Sequence, residues 1–165
     1  MKSALKNRKF SKEVNLELEV INLASGRHSC TKKGGRIQSF SSLFISGNRN
    51  ADNPVFGFGR GKAKIYSVAK QKASRKAANS CVNIFVPFDK TKTTIRHPLT
   101  GKSESASVVL MPGSGLNVPD SCRALFELIG LHNVSMKIVS STKNKKNIIS
   151  AILDAFHKAS LFQSF

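Results

Sequence analysis

VFGFGRGKA, residues Val55 to Ala63, carries a glycine at every second position (Gly57, Gly59, Gly61) and runs straight into Lys62. Period two is the rhythm of a β-strand, so the three glycines share one face of it and leave that face without side chains. Two things can fill such a face: a flat group or sugar-phosphate backbone pressed against the peptide N–H groups, or a helix packed closely over a glycine-softened strand. Both readings stay open at this point. A nucleotide loop does not. The phosphate loop GxxxxGK[ST] needs glycine where Phe56 stands and a hydroxyl where Ala63 stands, and a GxGxxG fingerprint counted from Gly57 meets Lys62 at its third glycine.

Upstream, Val14, Leu16, Leu18 and Val20 alternate with polar neighbours as a strand with one buried face. A polar, basic loop follows from Ala24 to Arg36, ASGRHSCTKKGGR. Arg36 to Ser46 reads as a second strand, GNRNADNP (Gly47 to Pro54) as a turn, and Val55 to Gly59 as the returning strand of a three-stranded meander. Downstream, Lys62 to Ser80 reads as an amphipathic helix. Tyr66, Ala69, Ala73 and Ala77 form its inner stripe, with Lys72, Arg75 and Lys76 on another face. In that reading Arg60 and Lys62 flank the helix N-terminus, where free N–H groups and the dipole favour phosphate. Seven basic residues and no acid lie between 60 and 80.

The second half is punctuated differently. Val82 to Phe88 and Thr91 to Arg96 read as a hairpin about Asp89 and Lys90, and Ser105 to Gly113 as a further strand. Asp120 stands at an N-cap position, Cys122, Leu125, Phe126 and Ile129 stripe a helix, and Gly130 stops it. Val134, Met136 and Ile138 alternate as a strand, and after the polar loop STKNKKN the residues Ile149, Ile152, Leu153 and Phe156 stripe a last helix. The fold class is α+β, a three-stranded sheet with a helix followed by a β-α-β module. The expected divisions are a basic tail at 1–12, a first domain at 13–80 and a second at 81–165.

Charge sets the partner class. The chain has 165 residues and a formal net charge of +18, far beyond the magnitude of about 2 to 8 usual for a small domain. Residues 1–100 hold 20 Lys and Arg against 5 Asp and Glu, whereas 101–165 hold 7 against 4. A polyanion whose counterions are released on binding is the natural complement, and the first half faces it. No run of about 18 apolar residues is present, so no membrane-spanning helix is expected. Cys30, Cys81 and Cys122 form no CxxC pair and support neither a zinc site nor a disulfide framework, which points to a reducing compartment. His28, His97, His132 and His157 are scattered and the carboxylates form no catalytic pair, so no catalysis and no cofactor are expected. Without Trp and with one Tyr, base stacking falls to Phe56 and Phe58, one of them expected in the core.

KKGGRIQSF, VFGFGRGKA, the basic helix, HPLTGKSESASVVLMP and RALFELIGLHNVSMKIVSST, in that order over residues 14 to 157, resemble the small-subunit ribosomal protein five family of bacteria and organelles. The resemblance implies a first module like a double-stranded-RNA-binding domain and a second of the β-α-β type that this family carries. It implies a structural, non-enzymatic protein of the small subunit, bound to its ribosomal RNA beside ribosomal proteins three, four and eight. The mRNA entrance would lie close by, with mRNA itself within reach and decoding accuracy among the functions. Carried over by position, and joined to the charge reading, the RNA-binding set is Arg27, Lys32, Lys33, Gly34, Gly35, Arg36, Gly57, Phe58, Gly59, Arg60, Gly61, Lys62, Lys70, Lys72, Arg75 and Lys76. The chain departs from the family in its longer 47–54 turn, in Val118, Pro119 and Asp120 where paired glycines would fall, and in Ser140. These departures, with 11 Phe, lean the reading toward a mitochondrial over a bacterial ribosome. The rivals from other classes are a free-standing double-stranded-RNA-binding regulator and a nucleotide-dependent kinase, the latter lacking a phosphate loop.

Overall fold

The computed structural model describes residues 18–48, 54–84, 86–87 and 93–162. The basic tail, the beginning of the first expected strand and the Asp89–Lys90 turn lie outside them. The described chain is α+β, in the order β1 (Glu19–Lys32), β2 (Gly35–Gly47), β3 (Val55–Ala63), α1 (Tyr66–Asn79), β4 (Val82–Asn83), β5 (Leu99–Ser103), β6 (Ala106–Pro112), α2 (Asp120–Ile129), β7 (Val134–Ile138) and α3 (Lys145–Phe162). Two antiparallel sheets result, β1-β2-β3-β4 and β5-β6-β7.

The expected loop at Ala24 to Arg36 is instead a long hairpin. Pairing runs without a break from Ala24↔Leu43 to Lys32↔Gly35, and Lys33 and Gly34 make the turn. Gly35 sits at φ 116°, a conformation open to glycine and strained for other residues. From Ser25 to Gln38 nearly the whole hairpin is exposed, so neither face carries the apolar alternation that marks a strand. β3 also outruns its expected end. Arg60 to Ala63 pair with Phe40 to Leu43, and the helix opens only at Tyr66.

Directly paired residues of an antiparallel sheet share a face, which sorts the first sheet into two. Ser42, Phe44 and Ser46 lie with Gly61, Gly59 and Gly57 under α1, whose Ala69, Ala73 and Ala77 are fully buried. Leu43, Ile45 and Phe56 lie on the other face and join one continuous core with Leu125, Phe126 and Leu128 of α2 and Ile149, Ile152 and Phe156 of α3. Helix α2 is seated on that face; a Cβ on Gly47, at the end of β2, would lie 3.3 Å from Leu128 Cβ. The first sheet is therefore covered by its own helix on one side and by the second half of the chain on the other.

Helix α3 lies on β5 and β6, closely enough at Gly101 that an added Cβ would sit 2.8 Å from Ala155 Cβ. β5 escaped the sequence reading because only Leu99 and Gly101 of its five residues face inward, and glycine leaves no hydrophobic mark. Val82–Asn83 pairs with Val55–Phe56 and extends the first sheet, where a hairpin of the second module was expected. The chain does turn back nearby, for the Arg96 N–H donates to the Pro87 carbonyl at 2.9 Å. Asp120 is the first residue of α2, preceded by Pro119, and makes no capping bond, contrary to its expected N-cap role. Gly130 closes α2 in the left-handed conformation at φ 84°, as its place in the sequence predicts.

Candidate nucleic-acid interface

The hairpin is built for reach. Five steps along the strand lead from Arg27 to Lys32, a rise of roughly 17 Å, and the tip presents Lys32, Lys33, Gly34, Gly35 and Arg36, all exposed. Arg27 is exposed lower on the same strand. Glu19 is the only carboxylate among the described residues from 18 to 84, and it lies at the end of β1 away from the tip. At the root of the hairpin His28 Nε2 lies 3.1 Å from Ser41 Oγ, a surface bond across the two strands.

A second set of cations lies on α1. Lys72, Arg75 and Lys76 are exposed, with the Lys76 stem resting on the sheet beside Gly59. Lys70 differs from the other three. Its ammonium lies 4.6 Å from the centre of the Tyr66 ring, which in turn meets Phe40 edge-on at 5.8 Å. Hydrogen bonding from Ser25, then from Lys70, holds the Tyr66 phenol below its ordinary range.

The glycine steps face the other way from the RNA-facing alternative. An added Cβ at Gly57 would lie 2.5 Å from the Ala77 carbonyl oxygen and 2.8 Å from the Cys81 nitrogen. One at Gly59 would lie 2.5 Å from the Ala73 carbonyl oxygen, and one at Gly61 2.7 Å from the Ala73 nitrogen. The bare peptide face is filled by α1, and the closely packed helix is the reading that holds at these three positions. Arg60 and Lys62 are exposed on the opposite face of β3, several residues before the helix begins, so they do not flank its N-terminus. Phe56 is 1% exposed and belongs to the core. Phe58 is half-buried against that core.

Cys30 is exposed on the hairpin, whereas Cys81 and Cys122 are packed into the fold. Burial pushes the Cys81 and Cys122 thiols up, only partly countered by Ser46 for the first and by Ser121 and Lys145 for the second. A thiol raised in this way is a poor nucleophile at neutral pH. Among the described residues no group of three or more His, Cys, Asp or Glu is placed to hold a metal ion. No helix among them is long and apolar enough to cross a membrane. Ser140, where the resemblance leads one to expect glycine, accepts a bond from the Ser107 N–H at 3.0 Å and so fastens the end of β7 to β6.

Comparison with known proteins agrees over both halves of the chain. Residues 18–84 match the family model for the N-terminal domain of ribosomal protein S5, and residues 101–165 match that for its C-terminal domain. The chain is 39% identical over 136 residues to the small ribosomal subunit protein uS5 of Vibrio cholerae serotype O1, in its Classical Ogawa 395, M66-2 and El Tor Inaba N16961 strains. The alignment covers 81% of this chain and 77% of each relative. The chain therefore belongs to the ribosomal protein S5 family, as a structural constituent of the small ribosomal subunit and not an enzyme.

Proposed function

We propose that the chain serves the small subunit by gripping ribosomal RNA phosphates with the hairpin Arg27 to Arg36 and with the cations of α1 and β3, while the second half holds that hairpin in place. The observation that carries this reading is the exposed hairpin, cationic at its tip, with a single carboxylate among the described residues of its module. Cations crowded with so few carboxylates beside them are stabilised by phosphate, and each contact made releases counterions. Gly57, Gly59 and Gly61 act one step removed, by letting α1 and its cations lie close on the sheet. In the Lys32→Ala/Lys33→Ala/Arg36→Ala variant, the log-log salt slope for binding small-subunit ribosomal RNA is expected to fall by about 2 to 3, near 0.7 to 0.9 per lost phosphate contact. An unchanged slope in that variant overturns the reading.

The resemblance supplies the finer assignments: neighbouring ribosomal proteins three, four and eight, a position by the mRNA entrance, and a part in decoding accuracy. Crosslinking within purified subunits checks the first two, and misreading rates of reporters checks the third. A free-standing RNA-binding regulator leaves the second half idle, whereas that half shares its core with the first sheet. Sedimentation with small subunits through a high-salt cushion separates the two readings. For the compartment, the phenylalanine content and altered glycines favour a mitochondrion, while the relatives named above are bacterial. Mass spectrometry of purified organellar small subunits decides it.

A further inference from the structure

The polar stretch STKNKKN has no part in the functions above, yet the fold carries it to the first module. Lys143, Lys145 and Lys146 line a groove of about 550 Å³ together with Arg60 of β3 and with Ser25 and Ser41 at the root of the hairpin. Four cations from both halves of the chain converge there, and no carboxylate is among the groove's lining residues. Lys145 and Lys146 open α3 and Lys143 lies two residues before it; the first turn holds no acid, so the helix dipole adds to their mutual repulsion. Asn144 caps that turn by accepting from the Lys146 N–H at 3.3 Å. An arrangement this repulsive is stabilised by an anion lying between the two halves.

We infer that the groove holds a segment of RNA backbone, so that the polyanion is gripped from both modules at once. The groove opens at the foot of the basic hairpin, and a backbone leaving the tip passes Arg27 and meets no carboxylate along the hairpin before it reaches the four groove cations. An acidic protein segment lacks that continuity. The inference rests on the RNA-binding reading above and assigns Lys143, Lys145 and Lys146 to the same ligand.

The test uses the full chain and a small-subunit ribosomal RNA transcript, with affinity measured across salt concentrations. Lys143→Gln/Lys145→Gln/Lys146→Gln is expected to lower the log-log slope by about 2 to 3. Its arginine counterpart, which keeps the charge, is expected to restore it. Lys102→Gln/Arg123→Gln/Lys137→Gln, the same charge removed elsewhere on the second half, is expected to move the slope by less than about one. Equal slopes in the groove and control variants overturn the inference. If the groove variant keeps its slope but fails to enter reconstituted subunits, the occupant is an acidic protein and the RNA assignment falls. Should the hairpin variant lose slope while the groove variant does not, only this inference is lost; if neither does, the RNA-binding reading falls with it.

Discussion

The two faces of the first sheet are packed by opposite means. Under α1 the contact is made by Gly57, Gly59 and Gly61 against Ala69, Ala73 and Ala77, small residues whose value is closeness. On the other face Leu43, Ile45 and Phe56 supply large apolar surface to a core shared with α2 and α3. Burial of apolar area is the main stabilising force, so the second face carries most of the module's stability while the first fixes where the basic helix lies. Neither half has a core of its own that is sealed from the other. Loss of the second face should therefore disturb both halves together.

The largest effect should come from that shared core. Phe56→Ala is expected to cost about 3 to 5 kcal/mol, and because the cavity opens between the halves, thermal unfolding should remain one transition at a lower temperature. Separate transitions for the two halves would break the comparison. Next comes the close face. Gly59→Ala drives a methyl into the α1 backbone at Ala73 and Ala77, and a loss of about 3 kcal/mol is expected. Gly115→Ala, with nothing within 4 Å of the added carbon, should stay within about 0.5 kcal/mol of the parent. Denaturant titration of the pair measures the difference.

Smaller effects should come from single bonds outside both faces. Ser140→Ala leaves the Ser107 N–H without that partner and is expected to cost about 1 kcal/mol by the same titration. Asp154 accepts from the Lys102 N–H at 2.9 Å and pairs with Lys158 at 2.7 Å, tying α3 to β5. Burial alone would raise its carboxyl, but the Lys102 N–H and Lys158 outweigh this and hold it below its ordinary value of 3.8. A depressed acid stabilises the fold above its unfolded value, and the contribution is lost as pH falls through the folded one. Asp154→Asn is thus expected to cost at most about 1 kcal/mol at pH 7. Its stability curve should converge on the parent's below about pH 4, and parallel curves down to pH 2 would contradict the assignment.

The same comparison explains what could be read in advance. From Ser105 onward the second half was legible because its stripes are apolar and periodic: Val134, Met136 and Ile138 on β7, and Ile149, Ile152 and Phe156 on α3. The hairpin was not, since Ser25 to Gln38 bury almost nothing and a strand without a buried face shows no period. β5 hid behind Gly101. For the candidate site, residue types gave the cations but not their direction. Alternation shows that Gly57, Gly59 and Gly61 share a face; only the register with β2 and the position of α1 show which partner fills it. The groove at Lys143 to Lys146 lay beyond reach for a related reason, because its other wall is more than eighty residues away along the chain.

β1 is an edge strand among the described residues, paired with β2 on one side except at the irregularity at Leu23 and without a partner strand on the other. An edge of that kind invites a second copy to add on strand to strand, a common route to aggregation. Such a pairing would crowd the Arg27 and Lys32 cations of two copies, with Lys33 and Arg36 nearby, along one seam, and the repulsion of like charges opposes it. The residues proposed to recruit RNA would thus also keep the newly made, unassembled chain from sticking to its siblings, and polyanions met too early would switch that safeguard off.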